Sequence, residues 1–231
     1  MFMFETTKKI ILLMLSANFI ISCSKEETNT NTDTASVMLI HASPDAPAVD
    51  IYKGTSKINS SSIVYAAAPT YFTVSAGNQS FDIKQAGTGV SLFSTATLPF
   101  TKNKAYSVFI VDSAVKASAI RFEDNLVAPA VGKINFRMLH LSPNTANVDF
   151  ILRSGADSIA LTNKAFKETT DLLAIDGKTY TIKAKLAGTQ TVVASASGII
   201  LSSGKIYTLF LKGFSGGTGT SDAGIQVIQY N

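Results

Sequence analysis

Val37-Met38-Leu39-Ile40-His41-Ala42-Ser43-Pro44-Asp45-Ala46-Pro47-Ala48-Val49-Asp50-Ile51-Tyr52 reads as an apolar run, a proline-broken turn and a second apolar run. It returns without insertion as Phe136-Arg137-Met138-Leu139-His140-Leu141-Ser142-Pro143-Asn144-Thr145-Ala146-Asn147-Val148-Asp149-Phe150-Ile151. His41, Ser43, Pro44 and Asp50 thus answer to His140, Ser142, Pro143 and Asp149, and these are the 2 histidines of the chain. The layout predicts strand, corner, strand, opening two similar units.

Working outward, Val49 and Ile51 alternate with Asp50 and Tyr52, the period-two pattern of a half-buried strand. Further strands are expected in the first unit at 70–74, 80–85, 91–98, 104–111 and 118–123. The breaks between them are Ala76-Gly77-Asn78, Gly87-Thr88-Gly89, Pro99 to Asn103 and Asp112 to Lys116. The second unit repeats the order at 134–140, 148–152, 171–175, 179–186, 191–197, 205–212 and 224–229. Turn signals about every 8 to 12 residues, with no long run of helical period, predict an all-β protein of sandwich type. Asp176-Gly177 reads as a two-residue hairpin turn. Gly213 to Gly224 reads as a flexible hairpin loop, since it has neither a Gly-Lys-Ser/Thr ending nor a following helix to cradle a phosphate. Lys104-Ala105-Tyr106-Ser107-Val108-Phe109-Ile110 recurs as Lys205-Ile206-Tyr207-Thr208-Leu209-Phe210-Leu211, apolar on both faces, so each copy is expected to be covered on both sides. Tyr106 and Tyr207 are expected to be core anchors with bonded hydroxyls.

The N-terminal part has a different character. Lys8 and Lys9 precede an apolar stretch from Ile10 to Ile21 that is too short to span a bilayer of about 30 Å. It ends in Ile20-Ile21-Ser22-Cys23, which resembles the bacterial lipobox, and Cys23 is the chain's 1 cysteine. That resemblance implies cleavage before Cys23 and its acylation by palmitate-type chains, which together give stable membrane attachment. Ser24-Lys25-Glu26-Glu27 looks like the export signal of surface lipoproteins in the Bacteroidota, implying an outer-membrane protein displayed at the cell surface. The polar stretch that follows is expected to be a flexible tether reaching roughly 45 Å. The expected organisation is therefore a signal peptide (1–22), an acylated cysteine and tether (23–36), a first sandwich repeat (37–124), a linker (125–132) and a second repeat (133–231).

Of the 231 residues 46% are apolar and 16% charged, enough to order most of the chain around a core. The net charge of +4 falls by one without residues 1–22, and its lysines are scattered rather than clustered. That argues against a nucleic-acid partner.

With both copies in view, the chain resembles the domain-of-unknown-function 4397 family, whose hallmark is similar to Val37 to Ile51 here, followed by Ala76-Gly77 and Lys104-Ala105-Tyr106. Pro129-Ala130-Val131-Gly132-Lys133 is similar to the family's bridge into a second copy. The resemblance extends over about 37–231, with departures in the second copy at Leu141, Asn144 and Ala146. It implies exported, lipid-anchored units of immunoglobulin-like β-sandwich fold, and brings no catalytic residues and no cofactor.

His41, Ser43 and Asp50 have the residue types of a hydrolytic triad, so an envelope hydrolase is one reading. Against it, Ser43 lies before Pro44 and not in a Gly-x-Ser-x-Gly elbow. The structural reading has Ser43 and Asp45 closing the turn on their own backbone, while Asp50 accepts backbone or His41 donors. A metal site of His41, Asp45 and Asp50 is disfavoured because Asn144 replaces Asp45 in the second copy. The favoured function is a non-catalytic surface module for a glycan or an envelope or extracellular protein, and the lack of tryptophan weakens the glycan version.

Overall fold

The computed structural model describes residues 33–67 and 70–230. The expected signal peptide, Cys23 and the expected tether as far as Thr32 lie outside the described residues. The first unit runs β1 (Thr34–His41), β2 (Val49–Lys53), β3 (Ser56–Lys57), β4 (Tyr71–Ser75), β5 (Gly77–Gln79), β6 (Asp82–Gln85), β7 (Ser91–Ser94), β8 (Leu98–Phe100), β9 (Ala105–Val111) and β10 (Ser118–Asp124). The second runs β11 (Lys133–His140), β12 (Val148–Ser154), β13 (Asp157–Lys164), β14 (Leu173–Asp176), β15 (Thr179–Leu186), β16 (Val192–Ile200), β17 (Ile206–Lys212) and β18 (Gly224–Tyr230).

Each unit is a sandwich of two four-stranded sheets. The inner sheets have the orders β10-β9-β1-β4 and β14-β11-β17-β18, and the outer sheets β3-β2-β6-β7 and β13-β12-β15-β16. A small β5-β8 pair completes the first unit. The two quoted stretches do the same work in both: the run before the histidine enters the inner sheet, the corner turns the chain, and the run after it joins the outer sheet. β1 pairs parallel with β9 and β11 with β17, in the same register: Val37 faces Tyr106 as Phe136 faces Tyr207.

Side chains between the sheets of the first unit, including Val37, Leu39, Ile51, Ile83, Tyr106 and Val108, form one core. Phe136, Met138, Phe150, Ile182, Tyr207 and Leu209 belong to its counterpart in the second. A third cluster joins the units. Met38, Ile40, Phe109 and Val111 on the back of one inner sheet meet Leu139, Leu141, Phe210 and Ile228 on the back of the other. Phe109 and Phe210, equivalent residues of the two units, pack edge to face at 5.6 Å. Four sheets are therefore stacked, and the double-faced apolar character of β9 and β17 has its cause: the second face of each is covered by the other unit. The Tyr106 hydroxyl accepts the Thr101 N–H at 3.0 Å and that of Tyr207 accepts the Ser202 N–H at 2.8 Å, as expected of bonded core anchors.

Several expectations need correction. Thr34–Ser36, assigned to the tether, belong to β1 and pair with β4. Gly77–Gln79 and Leu98–Phe100, read mainly as breaks, pair with each other as β5 and β8. β13, an edge strand with most of its residues exposed, was not expected at all. Asp176-Gly177 does not turn a hairpin, because β14 and β15 lie in different sheets and the dipeptide carries the chain between them. Glycine is required there for room: a Cβ on Gly177 would fall 2.5 Å from the Ser203 backbone nitrogen. The 213–224 loop is a hairpin connection but a tightly closed one. Phe214 N–H donates to Ser221 O at 2.7 Å, and a Cβ on Gly213 would lie 2.1 Å from Asp222 O.

Candidate functional site

The corner is built from the imidazole outward. His41 ends β1 with 1% of its surface exposed. Its Nε2 lies 2.9 Å from Pro47 O, which can only accept, and its Nδ1 lies 3.3 Å from the Ser43 backbone N–H, which can only donate. Those partners fix a neutral ring protonated on Nε2. His140 repeats the arrangement with Ala146 O at 3.1 Å and Ser142 N–H at 3.3 Å. Burial pushes the pKa of both rings down, only partly offset by the carbonyls they bond. Both nitrogens are spent on turn backbone, leaving no lone pair to take a proton from Ser43.

The serines differ between the copies. Ser142 Oγ lies 2.6 Å from Thr145 Oγ1, whereas Ser43 Oγ is buried without a partner. Ala46 stands where the second copy has Thr145, and that single difference strands the hydroxyl. The Tyr65 hydroxyl, on a ring packed against His41, is likewise unpartnered, and burial pushes its pKa up to about 12. Asp45 does not close its own turn. It accepts Ala114 N–H at 2.8 Å from the β9–β10 connection. Asn144 clamps the β17–β18 loop in the same way, bonding Ser215 N–H and Ser215 O at 2.8 and 3.1 Å.

Asp50 is not the partner of His41. Its carboxylate takes Lys57 at 2.8 Å, Ser62 Oγ at 2.8 Å and Asn59 Nδ2 at 3.2 Å. Burial alone would raise its pKa, but these donors and the Gly87 backbone outweigh it and hold the pKa low. Asp149 accepts Asn163 N–H at 2.8 Å and Gly188 N–H at 3.0 Å, which lower its pKa. In both units the aspartate ties the start of the post-corner strand to the glycine turn of the neighbouring hairpin. The three triad residue types are thus near in sequence but separately engaged. Among the described residues no group of three His, Cys, Asp or Glu side chains converges on one point.

A second polar centre, not foreseen, lies between the units. Arg137 takes the place of Met38 and points from the back of β11 into the interface. Its Nη2 donates to Asp124 Oδ1 at 2.5 Å and to the Tyr230 hydroxyl at 3.0 Å, its Nε to Thr208 Oγ1 at 2.8 Å, and its Nη1 to Glu123 O at 3.2 Å. Asp124 also accepts Ser107 Oγ and Tyr71 OH, each at 2.8 Å. Burial and the Asp124 carboxylate push the Tyr71 pKa well up. A cavity of about 220 Å³ opens beside this network, walled by Phe122, Leu126, Leu172, Ile206 and Tyr230. The sequence does hold a sign of it: Arg137 interrupts an apolar strand, and Ser107 and Thr208 recur as the small polar residues of β9 and β17.

Corners held by spent polar side chains, on stacked sandwiches, define a tandem β-sandwich protein. The chain belongs to the family described as domain of unknown function (DUF4397), whose model matches residues 35–151. That span takes in the first unit and the second corner; beyond Ile151 the strand-for-strand repetition, not the family match, relates the units. No curated protein matches. Among solved structures, the chain is similar to CBMbc, a family CBM26 module from Eubacterium rectale Amy13K in complex with maltoheptaose, at 14% identity, covering 85% of this chain and 96% of that one with a TM-score of 0.28. It is also similar to a leucine-rich repeat protein from Bacteroides thetaiotaomicron, at 11% identity, 85% and 26% coverage and a TM-score of 0.20. The Bacillus anthracis TIE protein matches at 9% identity, 79% and 34% coverage and a TM-score of 0.23. Overlap this slight carries nothing about what this chain binds.

Proposed function

We propose that the protein is a lipid-anchored envelope protein, held in the outer membrane and displayed at the surface through acylated Cys23, whose body is a non-catalytic binding module. One observation supports the body's role above the others. The polar residues of the repeated motif are consumed in building corners, with both nitrogens of each imidazole bonded to turn backbone. Repetition of the same internal use in both units fits a fold-specifying corner. Recognition is then left to the loops at the ends of the sandwiches. The anchor is supported by Ile20-Ile21-Ser22-Cys23. Among the described residues no helix is long and apolar enough to cross a membrane.

Two measurements test this reading. Cys23→Ala should shift the protein from the detergent to the aqueous phase on partitioning and abolish palmitate labelling; unchanged partitioning sinks the anchor. A fluorophosphonate probe should leave the folded protein unlabelled. Labelling of Ser43 that Ser43→Ala removes would instead favour the hydrolase.

A further inference from the structure

The two units share one polarity. β1 and β9 run parallel, as do β11 and β17, so the corners at His41 and His140 lie at the finishing ends of these strands. Contacts across the units align those ends. Lys167, beside the His140 corner, reaches Asp112 of the first unit at 3.3 Å, and Lys212 lies 5.1 Å from the Tyr65 ring, beside the His41 corner. Both corners therefore occupy one end of the body. At the opposite end the chain enters at Asp33, β10 finishes, the linker crosses and β11 begins.

That opposite end carries an exposed apolar segment. Leu126-Val127-Ala128-Pro129-Ala130-Val131 contains no polar side chain, and Val127 and Val131 are 71% and 103% exposed. Six apolar residues in succession on a surface need an occupant or a function. The segment adjoins the point where the chain enters. Asn103 donates its N–H to Thr34 O at 2.8 Å and shares a concavity with Leu126 and Val127. Lys102, Lys104 and Lys133 at this end pair with Asp33, Glu123 and Asp176, so its charge is largely balanced. Apolar contact, not attraction to anionic headgroups, is what this end offers. Ten peptide steps from Cys23 to Asp33 reach at most about 35 Å, which keeps the end within range of the lipid holding the acyl chains.

We propose that the linker Leu126–Val131 docks on the bilayer that holds acylated Cys23, turning both corners and their loops outward. The inference rests on the lipid-anchoring reading. An anchored body that also rests an apolar loop in the interfacial layer has a fixed attitude, where a tether alone would let it tumble.

The test uses the acylated full chain, in which Cys23 has no free thiol and one added cysteine can be labelled. Val131→Cys at the linker end and Val115→Cys at the corner end, itself 91% exposed, each receive a bimane dye. The proteins are placed in phosphatidylethanolamine vesicles containing a headgroup quencher. The Val131→Cys dye should be quenched several-fold more than the Val115→Cys dye, and adding Val127→Asp should erase the difference without moving the melt. Equal quenching of proteins that float with the vesicles overturns the docking and leaves the anchor standing, the linker then being a surface for another protein. Failure to float overturns the anchor and the docking with it.

Discussion

At the scale of single residues, the same atom in the two units meets different fates, and the difference can be measured. Ser43→Ala removes a buried, unpartnered hydroxyl and should leave stability unchanged or raise it. Thr145→Ala strands Ser142 and should cost on the order of 1–3 kcal/mol, read as a lower urea midpoint. Asp50, with its side chain 5% exposed, should cost about as much when changed to alanine. Asp149→Ala frees backbone donors that water reaches and should cost less. The histidines set a pH dependence. Both folded-state pKa values lie below the unfolded value of about 6.5, so the unfolded chain binds protons the folded protein refuses. Their contribution is whole above pH about 6.5 and is lost as the pH falls through the folded values. The melting temperature should therefore drop between pH 7 and 5, and His41→Gln with His140→Gln should flatten that slope. A second loss should begin below pH about 4, where Asp50 and Asp149 take up protons through their lowered folded pKa values. A melt that rises on acidification from 7 to 5 contradicts the assignment.

Among the elements, the sequence reads well where a strand buries an alternate face and poorly where it does not. β1, β2, β9, β11, β12 and β17 stand out because their apolar residues are the core. β3 and β13 are edge strands whose residues are mostly exposed, so no apolar period marks them. The Asp176-Gly177 signal is real chemistry misread, since a glycine demanded by crowding resembles one demanded by a tight turn. Gly177→Ala should accordingly cost on the order of 1–3 kcal/mol through overpacking against Ser203. Gly224→Ala, whose nearest new neighbour is Lys212 Cε at 3.6 Å, should be close to neutral, and thermal melts of the two variants separate the cases. The motif was legible as a corner, but its partners were not, because Asp45 bonds a residue 69 positions away and no local pattern announces that. Arg137 belongs to the same class: one polar residue in an apolar strand gains meaning only when the other unit supplies Asp124.

Across the whole molecule, the third cluster and the Arg137–Asp124 pair make the units interdependent. Residues Thr32–Asn231 form one compact body, and calorimetry should show one transition for it rather than two. The second unit alone, 133–231, would bare Leu139, Leu141 and Phe210, all buried in the whole protein, and should self-associate in sedimentation. Arg137→Met leaves Asp124 without its cation and should destabilise by about 3–5 kcal/mol, whereas pairing it with Asp124→Leu should recover much of the loss. The parallel pairing of β1 with β9 has a mechanical consequence. β1 is the first strand of the described residues, and it is bonded to β9 on one side and β4 on the other. A pull between the chain entering at Asp33 and anything gripped at the corner end runs along its length. Its hydrogen bonds lie across that direction, so they share the load in shear instead of opening one after another from an end.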